Sequence, residues 1–263
     1  MYSDTSISRA LQIQMRIIGA LLMREIITRY GRDNLGFLWL FVEPMIFTLG
    51  ITAIWTAAGF SHGSSLPIVA FGVTGYSSVL LWRNMPNRCA MAIPPNMGLL
   101  YHHNVRVIDL FITRIVLEMA GATVSFIVLA SIFTALEWMD APVDILRVLY
   151  GWFLLAWFGA ALALIVGALT AYNETIERLW HPTSYLLFPL SGAAFMVDWF
   201  PRKLQDFVLW LPMVNGIELL RNGYFGAAVR THFNIPYTVS ACVLMTLIGL
   251  ALVRDAGRRV EVQ

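Results

Sequence analysis

Long runs of residues with few or no charges are the feature that most limits what this chain can fold into. They cover about 36–60, 66–82, 108–136, 149–172, 182–199 and 237–253. A helix needs about 20 apolar residues to cross the hydrocarbon of a bilayer, so the runs predict six transmembrane helices. Only 13% of the 263 residues are charged, against about a quarter in a typical soluble domain. The chain is therefore predicted to be an all-α integral membrane protein with no room for a soluble catalytic domain.

The basic residues predict how the chain is oriented, because cytoplasmic flanks retain arginine and lysine. No signal peptide is expected, since arginines are spread through the first 30 residues without a cleavable apolar run. With the N-terminus inside, the inner segments hold Arg9, Arg16, Arg24, Arg29, Arg32, Arg83, Arg88, Arg106, Arg178, Arg254, Arg258 and Arg259. The outer segments hold Arg147, Arg202, Lys203, Arg221 and Arg230. Both termini are then cytoplasmic, and residues 254–263 form an inner tail.

Residues 1–35 are predicted to form an amphipathic helix before the first span. Apolar side chains recur on one helical stripe and basic side chains lie roughly opposite, between Ser8 and Arg32. One interpretation places this helix in the inner membrane interface. The other packs it on the rest of the protein with a solvated basic face.

Two segments are too broken to span a bilayer. Residues 84–104 contain Pro86, Pro94 and Pro95 and are predicted to form an inner loop with one short helix. Residues 204–232 are apolar but interrupted, and they are predicted to form re-entrant helices in the outer leaflet, covered by protein or by a water-filled cavity. The third span should begin as a cytoplasmic projection, in which Arg114 can pair with Glu118 four residues later.

Several kinds of chemistry are excluded. A phosphate-binding loop of the type G-x-x-x-x-G-K-[ST] needs a Gly-Lys pair, but the single lysine, Lys203, follows Arg202. ATP hydrolysis by this route must therefore belong to another polypeptide. No metal site is expected, and Asp140 and Asp144 fit a solvated turn better than an acid–base pair. The net charge of +2 argues against nucleic acid, and Cys89 and Cys242 are interpreted as packing residues.

Three stretches together resemble a known family. The first is Arg24–Arg32 (REIITRYGR), followed by Leu35–Trp39 (LGFLW) and Glu43-Pro44; the others are Leu100–Val107 (LYHHNVRV) and Pro212–Arg221 (PMVNGIELLR). They resemble the permease subunits of ABC-2 type polysaccharide exporters, and most closely the KpsM-type capsular-polysaccharide permeases of Gram-negative bacteria. The resemblance covers nearly the whole chain and implies the ABC-2, or type V exporter, fold.

The resemblance implies an inner-membrane homodimer that binds two copies of an ATPase subunit, which bind ATP and magnesium, so this chain itself needs no cofactor. A lipid-linked polysaccharide is the implied substrate, and a periplasmic or inner-membrane polysaccharide co-polymerase and an outer-membrane export protein are implied partners. The implied ATPase-coupling interface consists of Arg29, Tyr30, Arg32, Arg88, Tyr101, His102, His103, Asn104 and Arg106. The implied outer gate contains Pro212, Asn215, Glu218 and Arg221.

Candidate path residues follow from charge and aromaticity. Glu43 is a costly charge inside the first span, beside Pro44, which frees the carbonyl of Leu40. It is expected to pair with an arginine such as Arg114 or to accept hydrogen bonds from a neighbouring helix, or else to face the translocating chain. Aromatic side chains could stack on sliding sugars or form interfacial belts, and both interpretations stay open for Trp39, Phe47, Trp55, Tyr185, Phe188 and Phe195.

In the fourth span, a stripe of small residues predicts close helix packing: Gly159, Ala163, Gly167 and Ala171. Other functions remain as alternatives. The chain could be an ABC-2 permease for O-antigen, teichoic acid, a drug or a simple lipid, or an integral-membrane enzyme that modifies glycolipids. The enzyme would need a convergent acid, base or metal set, and the sequence offers none.

Overall fold

The computed structural model describes residues 7–30, 34–59, 66–100 and 105–260. Within these ranges the chain is all-helical, as predicted, and contains no strand. The α-helices are α1 (Ile7–Tyr30), α2 (Asn34–Ala57), α3 (Ile68–Ala90), α4 (Met97–Leu100), α5 (Val107–Ala135), α6 (Ile145–Tyr172), α7 (Glu174–Leu190), α8 (Arg202–Leu209), α9 (Pro212–Phe225) and α10 (Ile235–Val260).

Four of the described helices are long and apolar enough to cross a membrane. They contain Leu38–Ala57, Val107–Ala135, Ile145–Tyr172 and Ile235–Arg259. Helix α3 has 23 residues, about 34 Å at 1.5 Å per residue, but a more polar sequence. Its side chains from Ala70 to Trp82 are buried by neighbouring helices, with hydroxyls such as those of Thr74 and Ser78 bonded to carbonyls in the preceding turn. Helix α7 has 17 residues and contains two prolines.

Helices α3 and α6 pack closely at the centre of the bundle. A Cβ atom placed on Gly159 would lie 2.8 Å from the Cα of Trp82, and one on Gly167 would lie 3.0 Å from the Cβ of Cys89. Ala163, between them, is fully buried. The predicted packing stripe is therefore confirmed for these three residues, whereas Ala171 is exposed.

Two prolines inside helices are each covered by a glycine of a neighbouring helix. Proline cannot bond the carbonyl four residues before it, so Pro44 frees Leu40 and Pro86 frees Trp82. A Cβ atom on Gly121 would lie 3.1 Å from the Leu40 oxygen, and one on Gly159 would lie 3.1 Å from the Trp82 oxygen. The absence of a side chain lets α5 and α6 approach the freed carbonyls.

Several predicted boundaries differ from the observed helices, most clearly those of α3 and α7, while α6 begins at Ile145 and α10 continues to Val260. Helix α3 continues through Asn84 and Pro86 to Ala90, so the first part of the predicted loop is helical and Cys89 is a buried residue of this helix. Helix α7 begins at Glu174, where the Asn173 side chain accepts a hydrogen bond from Thr175, and it ends at Leu190 rather than near 199. The end of α3 and the start of α7 were misplaced because uncharged runs delimited the predicted spans, whereas these helix ends carry charged residues. Helix α7 ends early at an uncharged turn in which Gly192 has a φ of 91°.

Helix α1 packs on α5, which agrees with the second interpretation of the N-terminal helix. Leu21 is buried, and the Gln14 amide donates a hydrogen bond to Asp109 of α5. The exposed face differs from the expected basic face, because Leu11, Met15 and other apolar side chains lie on it together with Arg9, Arg16 and Arg24. Such a mixed face suits a membrane interface, so packing and interfacial location are compatible.

Candidate functional site

A cluster of ionised side chains joins α1, α3 and α5 at the end of the bundle where α3 ends and α5 begins. Its centre is Glu118 of α5, whose side chain is 7% exposed. The Glu118 carboxylate lies 2.5 Å from Nη1 of Arg29 and 3.3 Å from Nε of Arg88. Two arginines from different helices therefore share one buried carboxylate, which places α1 and α3 relative to α5.

A second carboxylate completes this charge cluster, which consists of Glu25, Arg29, Arg88, Arg114 and Glu118. Glu25 lies 3.2 Å from Arg29 and 3.2 Å from Arg114. Arg114 also donates a hydrogen bond of 2.5 Å to the carbonyl of Arg88. The expected pair within α5 between Arg114 and Glu118 is thus replaced by contacts between helices, because Glu25 of α1 lies within reach of Arg114.

The charge cluster borders a cavity of about 340 Å³. Across it, Arg24 donates a hydrogen bond of 2.7 Å to the side chain of Asn96. The lining residues are Arg24, Glu25, Thr28, Arg29, Asn87, Arg88, Met91, Pro95, Asn96 and Arg114. Four arginines and one glutamate make the walls net positive, so the cavity favours anionic groups such as phosphate or carboxylate.

Glu43 lies beside this cluster on α2. Its carboxylate is 3.8 Å from Nη2 of Arg88, and the two side chains are 41% and 39% exposed. The arginine near Glu43 is thus Arg88, while the suggested Arg114 pairs with Glu25. A pair this long and this exposed contributes little to stability, so Glu43 is available to contact other groups.

The predicted coupling residues divide into three groups. Arg29 and Arg88 belong to the charge cluster, whereas Arg106 precedes α5 and lines a different cavity, beside α10. The Tyr30 side chain lies outside the described part of the structure, as do the following residues: Arg32, Tyr101, His102, His103 and Asn104.

The predicted path aromatics also divide into groups. Trp39 and Phe47 of α2 and Tyr185 of α7 are exposed. The guanidinium of Arg83 lies 4.6 Å from the centre of the Tyr185 ring. These exposed rings are available for stacking on a ligand or for contact with lipid.

The other three predicted aromatics pack mainly on neighbouring rings. Phe188 contacts Tyr76 edge to face at 5.6 Å between ring centres. Trp55 lies 6.2 Å from Phe71, and Phe195 lies 4.8 Å from Phe200. The geometry therefore assigns these rings to packing rather than to an open surface.

The predicted gate residues form a buried polar core around α9, here the α9 polar core of Asn215, Glu218 and Arg221. Arg221 is fully buried and donates hydrogen bonds of 2.6 to 2.7 Å to the carbonyls of Gly192, Ala193 and Phe195. Its guanidinium also lies 3.8 Å from the centre of the Phe71 ring. The core therefore ties α9 both to the turn after α7 and to α3.

Glu218 and Asn215 hold the chain on either side of α9. Glu218 accepts hydrogen bonds from the backbone of Val197 at 3.1 Å and of His232 at 2.9 Å. Asn215 bonds the backbone of Leu209 and Asn234. Pro212 is the first residue of α9 and takes no part in this network.

Sequence reasoning missed part of the site. Glu25, Arg114 and Glu118 were noticed as charges but not assigned to it, and Asn96 was not noticed. An available signal was the position of Glu118, a carboxylate within a largely apolar helix, which is costly without a partner. Its partners are far away in the sequence, so the pairing required the fold.

Comparisons with known proteins agree with this architecture. Residues 16–225 match the ABC-2 type transporter family. The chain is 43% identical over 263 residues to the capsule polysaccharide export inner-membrane protein BexB of Haemophilus influenzae, covering 100% of this chain and 99% of that protein. It is 44% identical over 259 residues to CtrC of Neisseria meningitidis serogroup B, which has the same description, covering 98% of each. It is 26% identical over 253 residues to the polysialic acid transport protein KpsM of Escherichia coli, covering 92% of this chain and 94% of that protein.

Proposed function

Because the chain belongs to the ABC-2 type transporter family, we propose that it is the transmembrane permease subunit of a transporter that exports capsular polysaccharide across the bacterial inner membrane. The observation that carries this proposal is the similarity to BexB and CtrC over practically the whole of each chain. Both relatives are described as capsule polysaccharide export proteins of the inner membrane. The family implies transport rather than catalysis by this chain, and the energy comes from hydrolysis of ATP, which a separate ATPase subunit binds together with magnesium.

The proposed assembly has two copies of this chain and two ATPase subunits. Each copy crosses the membrane six times with both termini in the cytoplasm, using α3 and α7 in addition to the four long apolar helices. Burial of α3 by its neighbours supports its inclusion, since a helix shielded from lipid need not be strongly apolar. Co-polymerase and outer-membrane export proteins continue the route through the envelope.

The substrate is proposed to be a lipid-linked polysaccharide, and two features of the site fit it. The net positive cavity beside the charge cluster suits an anionic group of the lipid linkage or of the polymer. The exposed rings of Trp39, Phe47 and Tyr185 offer apolar faces on which sugars can slide without a fixed set of hydrogen bonds.

The charge cluster is proposed to link the ATPase to the substrate path. It joins α1 and the end of α3 to α5, which packs on α2. Closure of the ATPase subunits would shift α1 and the segment from 84 to 106 and change which carboxylate each arginine binds. This is a coupling between two sites through an element with two arrangements.

Deletion of the gene, followed by complementation, tests the function. Deletion should remove capsule from the cell surface while polymer accumulates inside, and the intact gene should restore export. Deletion of the partner ATPase gene is the matched control and should give the same phenotype. Unchanged surface capsule, or loss of polymer synthesis itself, would contradict the proposal.

Cysteine labelling with a membrane-impermeant reagent tests the topology. Both native cysteines are buried and free, so they provide a background of low reactivity. Lys203→Cys should react from outside intact cells, and Arg9→Cys should react only after the inner membrane is opened, because both positions are exposed. Labelling of Arg9→Cys in intact cells would show that the N-terminus is outside and would contradict the proposed orientation.

A further inference from the structure

We infer that a cavity between the start of α5 and the end of α10 binds the headgroup of an anionic phospholipid. The cavity measures about 280 Å³ and is lined by Leu100, Val105, Arg106, Val107, Ile108, Leu250, Val253, Arg254, Gly257 and Arg258. The uncharged part of α10 ends at Val253 in the wall of this cavity, and Arg254 follows it, an order typical of the boundary between the hydrocarbon and the headgroups of a membrane. It is separate from the cavity beside the charge cluster, with which it shares no lining residue.

Three arginines at this cavity offer guanidinium groups to an anion. Arg106, Arg254 and Arg258 are exposed, and none of them takes part in an ion pair in the described part of the chain. The carboxylate of Asp109 accepts hydrogen bonds from the backbone of Arg106 and from Gln14, and it also attracts the Arg106 guanidinium, so Arg254 and Arg258 are the less compensated charges of the cavity. Guanidinium groups bind phosphate through two parallel hydrogen bonds, so three such groups at one cavity fit a phosphate headgroup.

The order of side chains along α10 matches the order of groups in a phospholipid. Leu250, Arg254 and Arg258 are four residues apart and therefore lie on one face of the helix. Leu250 and, one turn earlier, Leu247 are exposed within the candidate span. An acyl chain can lie along the leucines while its phosphate reaches the arginines, an arrangement that a free phosphate ion does not use.

Gly257 keeps the cavity open. A Cβ atom placed on it would meet no heavy atom within 4 Å, so a larger side chain fits there without a clash. Substitution by leucine should fill the cavity and also raise the helix propensity. Gly257→Leu thus blocks the proposed site without changing any charge and without an expected loss of folding.

Native mass spectrometry of the purified full-length protein in detergent tests the proposal. The probes are phosphatidylglycerol, zwitterionic phosphatidylethanolamine and inorganic phosphate. Phosphatidylglycerol should be retained preferentially, and Arg254→Gln and Arg258→Gln should each lower its retention about fivefold. Gly257→Leu should lower it similarly. The matched control is Arg259→Gln, since Arg259 belongs to the same helical turn but binds Asp255 at 3.5 Å and lies over the Tyr172 ring; retention should be unchanged.

Three results would overturn the inference. One is equal retention of the two lipids, and another is retention that none of the three cavity variants lowers. The third is displacement of phosphatidylglycerol by inorganic phosphate at equal concentration, which would make the cavity a phosphate site. If, in the second case, the variants that keep the lipid also lose the ATPase subunit, the arginines belong to a protein interface instead. Lipid retention is measured without transport, so it fails or succeeds independently of the proposed export function.

Discussion

The charge cluster and the α9 polar core lie near opposite ends of α3, and they bury charge in different ways. Arg88 near the end of α3 binds carboxylates of two other helices, and its side chain is 39% exposed. Arg221, packed on Phe71 near the start of α3, is fully buried and bonds backbone carbonyls. Backbone acceptors in a folded turn have fixed positions, whereas side-chain pairs can exchange partners. The α9 polar core is thus suited to holding a shape, and the charge cluster is suited to changing one.

The largest effect is expected for Arg221→Gln. The substitution leaves the buried carbonyls of Gly192, Ala193 and Phe195 short of donors, and each such group costs about 1 to 3 kcal/mol. We expect a loss of about 3 to 5 kcal/mol in stability and little folded protein after detergent extraction. Thermal unfolding followed by size-exclusion chromatography measures both.

Two variants control for the general effect of losing an arginine near α9. Arg202→Gln, on the exposed face of α8, should change stability by less than about 0.5 kcal/mol. Arg221→Lys keeps the charge but not the planar fork, so it should remain clearly destabilised. Wild-type stability of Arg221→Lys would mean that charge, rather than the carbonyl contacts, holds the α9 polar core.

A smaller effect is expected for Glu118→Gln in the charge cluster. The amide keeps the shape of the side chain but removes the charge shared by Arg29 and Arg88. Hydrogen bonds to charged groups contribute about 1.5 to 3 kcal/mol, so we expect a loss in that range and a folded protein. Substrate-stimulated ATPase activity of the reconstituted complex should fall by more than the loss of folded protein accounts for, because the cluster links α1, α3 and α5.

The matched control for Glu118→Gln is Asp206→Asn, which removes an exposed carboxylate on α8. It should alter neither stability nor ATPase stimulation. A Glu118→Gln complex that melts like the control and keeps full stimulation would show that the two arginines do not depend on this carboxylate.

The same contrast explains which features the sequence could predict. Long uncharged runs are a sufficient signal for α2, α5, α6 and α10, because lipid contact requires apolar side chains. The end of α3 and the start of α7 were misplaced because charges there are balanced by neighbouring helices or solvent. A local rule paired Arg114 with Glu118, but tertiary contacts with Glu25 prevailed.

Packing partners were harder to predict than packing surfaces. The stripe containing Gly159 predicted a close contact but not its purpose, which is to cover the Trp82 carbonyl freed by Pro86. The equivalent contact of Gly121 with the Leu40 carbonyl was not predicted at all. Pro44 and Pro86 are visible in the sequence, but only the fold identifies the helix whose glycine covers the carbonyl that each of them frees.

The smallest effect on stability is expected for Glu43→Gln, and it sharpens the contrast between fixed and exchangeable charges. The sequence favoured a structural role for Glu43, which would require a costly loss when the charge is removed. In the structure its carboxylate lies 3.8 Å from Arg88 and is 41% exposed, while Arg88 also binds Glu118 at 3.3 Å. Removing a pair this open should cost less than about 1 kcal/mol, because solvent screens both charges.

Polymer export in the reconstituted complex should nevertheless change, since Glu43 is a half-exposed carboxylate beside a net positive cavity and its loss alters the local field that an anionic substrate meets. The structural role would be supported instead if Glu43→Gln lowered the melting temperature as much as Glu118→Gln does. Export would then fall only in proportion to the amount of folded protein.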